Sequence, residues 1–506
     1  MIGILLNDYA YEQDIRELLM AFYPGETFAY EKGAEVSFYV EGKVNEAHSQ
    51  FSLCIRGRDG EPESREPEKL EELPEELEGE WEAFLKNLPI ELCYNDRTEA
   101  KSKIKRRLYF ILYGRTGKVL PWGTLTGIRP TKIAMTRMEE GWEDEEIASY
   151  MKKSYLTGED KIRLSIEIAG RERELLKVLN YEKGYSLYIG IPFCPTTCLY
   201  CSFTSYPIGK WASRTGEYLD ALFRELDYTA EHFRGRPLDT VYFGGGTPTS
   251  LTAGDLDRLL KKVRDTFDLE NILEFTVEAG RPDSITEEKL LVLKEYGVTR
   301  ISINPQTMKQ ETLDLIGRRH TVEMVKEKFA LARKLGFDNI NMDFIIGLPG
   351  ETAKDVARTM EEVKALKPDS ITVHSLAIKR ASRLNLLWEE YKDLTGKDID
   401  AMAEISRKAA LEMGMEPYYL YRQKNMAGNF ENVGYALPGK ACLYNILIME
   451  ELQTIAACGA GTTTKLIFPE ENRKERVENV KDAGQYIERI EEMLERKEKM
   501  LAKWEK

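Results

Sequence analysis

The chain has 506 residues, with 72 Lys and Arg against 86 Asp and Glu, so its formal net charge is −14. This length predicts about three domains, and a hydrophobic content of 42% is enough for sizeable cores. An acidic surface repels phosphate backbones and anionic lipid on average, which argues against nucleic acid and membrane partners.

The N-terminus and the cysteines indicate the cellular compartment. The stretch Met1 to Asp8 has no basic leader, its apolar run is shorter than an export signal needs, and no later run predicts a membrane span. We therefore expect a cytoplasmic protein with reduced thiols, and an odd number of cysteines, seven, argues against a disulfide framework. Four cysteines have apolar or mixed neighbours and are interpreted as small buried residues: Cys54, Cys93, Cys442 and Cys458.

Composition divides the first 180 residues into three parts. Residues 1–60 alternate the apolar runs Ile2–Leu6, Val36–Val40 and Phe51–Ile55 with one helical stretch, Glu12–Phe22, which predicts a small α+β unit. Residues 61–80 are mostly charged residues, Pro and Gly, which predicts a solvated linker. Residues 81–180 form a mostly helical module with turn chemistry at Gly127–Lys132, and its predicted helices are Trp81–Leu88, Glu99–Leu112, Asp144–Lys152 and Gly158–Leu179.

Short β-rich runs alternate with longer amphipathic stretches over residues 181–385. This alternation predicts parallel βα units of the barrel type, in which functional groups follow the carboxyl ends of the strands. The six runs are Ser186–Ile191, Thr240–Phe243, Glu274–Val277, Arg300–Ile303, Asn339–Phe344 and Ser370–Val373. Residues 386–506 are mainly helical by pattern, as in Trp388–Tyr391, Asp400–Met413 and Asp482–Trp504.

Three cysteines follow the first barrel strand with the spacing C-x3-C-x2-C: Cys194, Cys198 and Cys201. Three thiolates on one loop can ligate three irons of a four-iron cluster and leave the fourth iron open to an exchangeable ligand. Zinc normally takes four closed ligands, and no fourth Cys or His lies within thirty residues of Cys201. A partial zinc site and three incidental buried thiols are the alternatives.

Glycines and polar residues follow the other strands. The turn Gly244–Thr249 lets the backbone approach a ligand closely. Glu278 follows the third strand, Gln306 follows the fourth, and Asp343 lies near the end of the fifth. Arg318 could hold a carboxylate through two guanidinium nitrogens. Each residue alone has an ordinary structural explanation, but their common placement favours a single site.

Together, the segments IPFCPTTCLYC, YFGGGTPT, VEAG, RISINPQT, IGRRH and NMDFIIGLPGET resemble the oxygen-independent coproporphyrinogen III oxidase family of radical S-adenosylmethionine (SAM) proteins. The resemblance covers about residues 185–380. The segments PWGTLTGIRPTK and YYLYRQKNMAGNFENVGYALPG are similar to the HemZ branch of that family. The resemblance implies an α/β fold, with a partial (β/α)6 TIM-like radical SAM barrel, an N-terminal α+β module and a mainly helical C-terminal region.

The same resemblance implies the cofactors, a 4Fe-4S cluster and one or two SAM molecules. The cluster would be held by Cys194, Cys198 and Cys201. The implied SAM-binding residues are Tyr188, Tyr200, Gly245, Gly246, Thr247, Glu278, Gln306, Arg318, Asp343 and Ala377.

The implied activity is the oxygen-independent oxidative decarboxylation of coproporphyrinogen III to protoporphyrinogen IX. The implied partners are this tetrapyrrole and an electron donor of the flavodoxin or ferredoxin type. A tetracarboxylate substrate needs cationic partners, for which the candidates are Lys379, Arg380, Arg383 and Arg422. The alternatives are a haem-binding or haem-delivery protein without decarboxylase activity, and a radical SAM enzyme that methylates or opens haem.

The chain departs from the patterns of its relatives at three places. Gly190 stands where the family usually has the histidine of Tyr-x-His-Ile-Pro-Phe-Cys, and Phe203 stands where the oxidases have a further cysteine. The His-Asn-x-x-Tyr-Trp segment of the haem chaperones is absent, and Lys424–Met426 takes its approximate place. The first two departures bear on decarboxylation, and the third argues against the chaperone alternative.

Overall fold

The computed structural model of the chain describes residues 1–59, 61, 69–71, 73–92, 96–181, 183–379, 381–395, 398–423, 430–468, 471 and 473–504. Two units are distinguished by their internal contacts. The N-terminal unit contains Met1–Gly170 and Tyr421–Glu431, and the barrel unit contains Arg171–Leu420 and Asn432–Lys506. Within the described ranges, no helix combines the length and apolarity that crossing a bilayer requires.

The N-terminal unit contains a mixed sheet in the order β2-β1-β3-β4-β5, and both β1 and α1 have the bounds predicted from the sequence. The strands are β1 (Ile2–Leu6), β2 (Phe28–Ala29), β3 (Tyr39–Val44), β4 (Gln50–Arg56) and β5 (Ile90–Glu91). The helices that begin before residue 170 are α1 (Glu12–Phe22), α2 (Glu78–Leu85), α3 (Arg97–Thr116), α4 (Thr131–Glu139), α5 (Asp144–Tyr155) and α6 (Glu159–Leu176).

Helix α1 shows how the apolar pattern specifies one element of this unit. Its apolar residues Ile15, Leu18, Leu19 and Phe22 recur at three- and four-residue spacing and are fully buried, so one helical stripe faces the core. Helix α4 was not predicted, because Gly127–Lys132 carries turn-forming residues. The helix begins inside that segment, directly after a proline whose fixed φ suits a helix start.

The barrel unit contains the remaining elements. Its strands are β6 (Tyr185–Ile191), β7 (Phe193–Cys194), β8 (Tyr206–Pro207), β9 (Leu238–Gly245), β10 (Glu274–Glu278), β11 (Arg300–Ser302), β12 (Ile340–Ile346), β13 (Ser370–Ser375), β14 (Glu416–Tyr421), β15 (Asn432–Ala436), β16 (Thr454–Cys458), β17 (Thr463–Phe468) and β18 (Arg473–Glu478). Its helices are α7 (Thr215–His232), α8 (Ala253–Thr266), α9 (Glu287–Glu295), α10 (Gln310–Leu315), α11 (Val322–Lys334), α12 (Ala353–Leu366), α13 (Arg383–Leu386), α14 (Trp388–Tyr391), α15 (Ile399–Glu412), α16 (Leu443–Glu450), α17 (Ala483–Glu488) and α18 (Ile490–Trp504).

Six parallel strands, β6 and β9 to β13, lie side by side in chain order. They are nearly continuously buried, as expected for parallel strands covered on both faces. Four of the intervening helices are directly preceded by a threonine whose hydroxyl accepts a hydrogen bond from the third helical N–H: Thr252, Thr286, Thr321 and Thr352. The predicted α/β fold with repeated βα units is confirmed.

The region after Asn385 contains the expected helices and also, within the described residues, five strands that the sequence pattern did not predict. Strand β16 adds to β6 in parallel, followed by antiparallel β17 and β18, while β15 and β14 extend the opposite side beyond β13. Strand β18 was not predicted, because its sequence RKERVE is charged. Its residues alternate between half-buried and exposed positions, as in an edge strand.

Three of the four scattered cysteines lie in the described part of the chain, among packed residues. Cys442 and Cys458 are fully buried, and burial raises the pKa of both thiols, which disfavours the reactive thiolate. Cys54 is half-buried in β4. Cys93 lies outside the described residues.

Candidate active site

The loop that follows β6 carries the three clustered cysteines. Cys194 lies in β7 and is half-buried, Cys198 is buried, and Cys201 is half-buried. The loop is anchored where Leu199 N donates a hydrogen bond to Ile316 O at 2.9 Å. All three thiols are therefore presented from one loop at the carboxyl end of the first barrel strand.

The chemistry of this donor set fits a cluster of several irons. Burial raises the pKa of the Cys194 thiol to about 11, although Thr247 Oγ1, 3.4 Å from Cys194 Sγ, opposes the rise, and burial also raises the pKa of Cys201. Such thiols ionise beside a metal or a cation. In the described parts of the chain, no three His, Cys, Asp or Glu side chains converge on a single metal ion. Three thiols on one loop match an iron–sulfur cluster better than a closed zinc site.

Strand β9 ends in a glycine turn that docks on the cysteine loop. Gly246 N donates to Ile191 O at 2.8 Å, and Thr247 N donates to Phe193 O at 2.7 Å. A Cβ at Gly246 would lie 2.6 Å from Phe193 O, so only glycine permits this close backbone approach. Gly245 has a φ of 101°, in the left-handed region that favours glycine. The turn and the cysteine loop therefore form one continuous wall.

Two carboxyl groups on β10 and β12, the strands on either side of β11, have opposite pKa shifts. Burial raises the pKa of Glu278 to about 7, although the Tyr242 hydroxyl, which donates to Glu278 Oε1 at 2.6 Å, opposes the rise. Burial acts in the same direction on Asp343, but its hydrogen-bonding neighbours hold its pKa below the usual value. Asn304 Nδ2 donates to Asp343 Oδ2 at 2.8 Å. One carboxyl group therefore titrates near neutral pH beside one that stays ionised.

Buried polar atoms of Gln306 and Arg318 lack partners. Within the described residues, Gln306 Oε1 and Arg318 Nε have no hydrogen-bond partner. Gln306 also has a φ of 71°, which is strained for a residue other than glycine. Its backbone N–H donates to Asp343 O at 3.0 Å, and Arg318 Nη2 donates to Tyr200 OH at 3.3 Å. Unsatisfied buried groups beside a strained residue are typical of a site completed by a ligand.

Comparisons with known proteins identify the family. The Radical SAM superfamily matches residues 188–363. The "Oxygen-independent coproporphyrinogen-III oxidase-like protein HemZ" of Bacillus subtilis (strain 168) is 45% identical over 401 residues, which are 78% of this chain and 80% of that protein. The chain belongs to the oxygen-independent coproporphyrinogen III oxidase family of radical SAM proteins. Membership in this family implies a 4Fe-4S cluster and SAM as cofactors.

Other relatives match over a shorter range. "Heme chaperone HemW" of Bacillus subtilis (strain 168) is 39% identical over 38% of this chain and 51% of its own length. "Oxygen-independent coproporphyrinogen III oxidase" of Escherichia coli (strain K12) is 33% identical over 41% of this chain and 45% of its own length. The chain thus spans about half of these two relatives. Among solved structures, coproporphyrinogen III oxidase (HemN) from Escherichia coli matches with a TM-score of 0.49 and 22% identity, covering 64% of this chain and 73% of that chain.

A cavity of about 320 Å³ opens beside the cysteine loop of this radical SAM protein. Its wall includes Tyr188, Gly190, Phe203, Gly245, Tyr444 and Thr462. The rings of Tyr188 and Tyr444 are stacked, with centroids 5.9 Å apart. Tyr188 and Gly245 were both predicted to bind SAM, so the cavity adjoins the predicted cofactor residues. Ala377, also predicted to bind SAM, lies two residues beyond the end of β13.

The two departures from the oxidase pattern line this same cavity. A Cβ at Gly190 would lie 2.4 Å from Thr462 Cγ2, so the methyl group of Thr462 occupies the space that the family's histidine side chain would enter. Phe203 is 67% exposed, and Lys379 Nζ lies 5.2 Å from the centre of its ring. The turn between β16 and β17 therefore fills the space beside Gly190 that a histidine side chain would need.

The predicted substrate cations have different surroundings. Lys379 follows β13 and is half-buried, and burial lowers its pKa. Arg383 begins α13 and is exposed, whereas Arg380 lies outside the described residues. Arg422 belongs to the N-terminal unit, where it is buried and Nη1 donates to Leu125 O at 2.7 Å. Burial lowers the pKa of Arg422 to about 10. Its guanidinium donates hydrogen bonds to backbone carbonyl groups of the N-terminal unit.

Two residues at the site, Arg281 and His374, were not predicted from the sequence. Arg281, three residues beyond Glu278, places Nη1 3.6 Å from Cys198 Sγ. His374, on β13, places Nε2 3.8 Å from Asp343 Oδ2. Both lie within or just beyond a barrel strand, so examining every polar residue near each strand end would have included them.

Proposed function

We propose that the chain is a radical SAM oxidoreductase that converts coproporphyrinogen III to protoporphyrinogen IX by oxygen-independent oxidative decarboxylation, a step of porphyrin and haem biosynthesis. The observation that carries this proposal is the cysteine loop at the end of β6, together with polar side chains on or after β10, β11 and β12. Within the described residues, these side chains lack partners or have shifted pKa values. Similarity to the HemZ protein over most of the chain supports the same activity.

In this proposal Cys194, Cys198 and Cys201 hold the 4Fe-4S cluster. The residues that line the sites of one or two SAM molecules are Tyr188, Tyr200, Gly245, Gly246, Thr247, Glu278, Gln306, Arg318, Asp343 and Ala377. Together the bound cofactors supply one-electron cleavage of SAM and hydrogen abstraction from the substrate.

The side chains have distinct roles in holding a ligand there. Ionised Asp343 accepts hydrogen bonds from ligand hydroxyls, and Glu278, with its pKa near 7, can either donate or accept. Arg318 Nε and Gln306 Oε1 provide one unused donor and one unused acceptor within the described structure. The burial of these groups strengthens each contact and keeps water away from the reacting atoms.

Cations beyond β13 would bind the carboxylates of the substrate. Lys379 and Arg383 lie close in sequence to the proposed cofactor residue Ala377, and Arg380 lies between them in the chain. Electrons would come from a small reduced carrier of the flavodoxin or ferredoxin type.

A haem-binding or haem-delivery function without decarboxylation is the second candidate. The 39% identity to the Heme chaperone HemW favours it, although that similarity covers only 38% of the chain. A radical SAM enzyme that methylates or opens haem is the third candidate.

Anaerobic incubation of cluster-reconstituted protein with SAM, a reductant and coproporphyrinogen III tests the proposal. We expect protoporphyrinogen IX, methionine and 5′-deoxyadenosine, and none of these products from the Cys198→Ala variant. Stoichiometric retention of haem without turnover would instead assign the chaperone function. Methylated or ring-opened haem would assign the third.

A further inference from the structure

The guanidinium of Arg281 is fixed between a carboxylate and the cysteine loop. It is 3% exposed, and its Nε and Nη2 donate to the two oxygens of Asp283 at 2.9 and 2.7 Å. On its other edge, Nη1 donates to Thr196 Oγ1 at 3.1 Å and to Cys198 Sγ at 3.6 Å. This fork geometry sets the orientation of the guanidinium, so one N–H remains directed at the sulfur.

Arg318 adds a second buried cation next to the loop. Arg318 is 6% exposed and contacts Tyr200, two residues after Cys198. Thr196 Oγ1 donates to Gly317 O at 3.0 Å, which connects the loop to the segment that carries Arg318.

The ionisation states of the groups beside Arg281 set the charge near Cys198. Burial and the two arginines lower the pKa of His320 to about 3, so that imidazole is neutral. Arg281 holds the pKa of Asp283 below its usual value although burial opposes this, so that carboxylate stays ionised. Arg281, Arg318 and Asp283 therefore sum to +1 beside a loop whose thiolates are anionic when they bind iron.

We propose that Arg281 is a positioning residue that raises the reduction potential of the cluster held by the cysteine loop. This inference rests on the proposed function, because it takes Cys198 as a cluster ligand. Hydrogen bonds to cluster sulfur and net positive charge nearby both favour the reduced state, which carries one more negative charge. Asp283 contributes by fixing the direction of the donor.

The test is an anaerobic redox titration of cluster-loaded protein, followed by electron paramagnetic resonance without SAM or tetrapyrrole. Arg281→Gln removes the charge, Arg281→Lys keeps the charge without the fork, and Arg258→Gln is the control. Arg258 is exposed on α8, where it forms ion pairs with Asp220 and Asp255. We expect the equilibrium constant for one-electron reduction to fall at least tenfold in Arg281→Gln, which corresponds to about 59 mV. Arg281→Lys should show a smaller fall, and the control none.

An unchanged midpoint in Arg281→Gln with full iron and sulfide content overturns the proposal. If that variant folds but takes up no iron, Arg281→Lys decides, since a lowered midpoint supports the proposal and an unchanged midpoint overturns it. Loss of the cluster in both folded variants also overturns the proposal, because Arg281 would then be needed for assembly of the cluster and not for its reduction potential.

The two proposals fail separately. A shifted midpoint without decarboxylation by the wild type rejects only the proposed substrate reaction. Decarboxylation with an unshifted midpoint in Arg281→Gln rejects only the role of Arg281.

Discussion

Replacing Lys497 tests a buried ion pair that joins helix α18 to helix α7 within the barrel unit. Lys497 Nζ lies 2.6 Å from Glu225 Oε1, and the two residues are 3% and 0% exposed. The same carboxylate accepts from Gly459 N at 2.7 Å and from Asn479 Nδ2 at 2.7 Å, and Tyr486 OH also donates to it. Gly459 begins the turn that lines the cavity beside the cysteine loop.

Lys497→Met removes the cation and leaves the buried carboxyl group of Glu225 with only neutral hydrogen-bond donors. Breaking a buried pair in this way costs about 3–5 kcal/mol, because the remaining charge is uncompensated. Adding Glu225→Gln removes that charge while keeping an acceptor for Gly459 N. The double variant should therefore recover about 1–3 kcal/mol of the loss.

Urea unfolding of the apoprotein, followed by circular dichroism, measures these differences in the free energy of unfolding. Lys499→Met, two residues along the same helix and exposed, is the matched control and should change it by less than about 0.5 kcal/mol. The reasoning is wrong if Lys497→Met and Lys499→Met are equally stable, or if the double variant is less stable than Lys497→Met.

Three further predictions follow from the same structure. Cys198→Ala should abolish the brown cluster absorbance and SAM cleavage. Cys442→Ala, at a fully buried position, should keep both. Loss of the cluster in Cys442→Ala would contradict the ligand assignment. Gly190→Ala should cost about 1–3 kcal/mol by overpacking against Thr462 Cγ2, and Thr462→Ser should recover part of that cost in urea unfolding; no recovery contradicts the contact. Glu278 has a folded pKa of about 7, above its unfolded value, so the stability that it contributes at low pH is lost as pH rises through 7. Between about pH 5 and 7, the wild type should therefore lose up to about 1.4 kcal/mol of unfolding free energy per pH unit relative to Glu278→Gln. Parallel plots of unfolding free energy against pH for the two proteins would contradict this.

Local patterns predicted the parallel strands well because each is a short apolar run followed by an amphipathic helix. Predicted and observed ends of the first strand differ by one residue, with Ser186–Ile191 expected and Tyr185–Ile191 found. The cysteine loop could also be predicted, because Cys194, Cys198 and Cys201 lie close together in the chain. Both features depend on neighbours in sequence.

Features that depend on distant partners were harder to predict. The alanines of β16 look neutral in sequence, and the strand is specified by pairing with β6, far away in the chain. Arg422 was expected near the substrate from its charge alone, but its burial among the carbonyls near Leu125 depends on tertiary packing. The contact of Arg281 with Cys198 likewise joins two different loops.

The pairing of β16 with β6 has a consequence for biosynthesis of the protein. Tyr185 is paired with Thr454, so the outer edge of β6 acquires its partner only after about 270 further residues have been made. Ribosomes add roughly 5–20 residues per second, so this edge stays open for about 15–50 seconds. An uncovered strand edge is a template for wrong pairing. The nascent barrel should therefore depend on a chaperone or on slow folding until the C-terminal strands emerge.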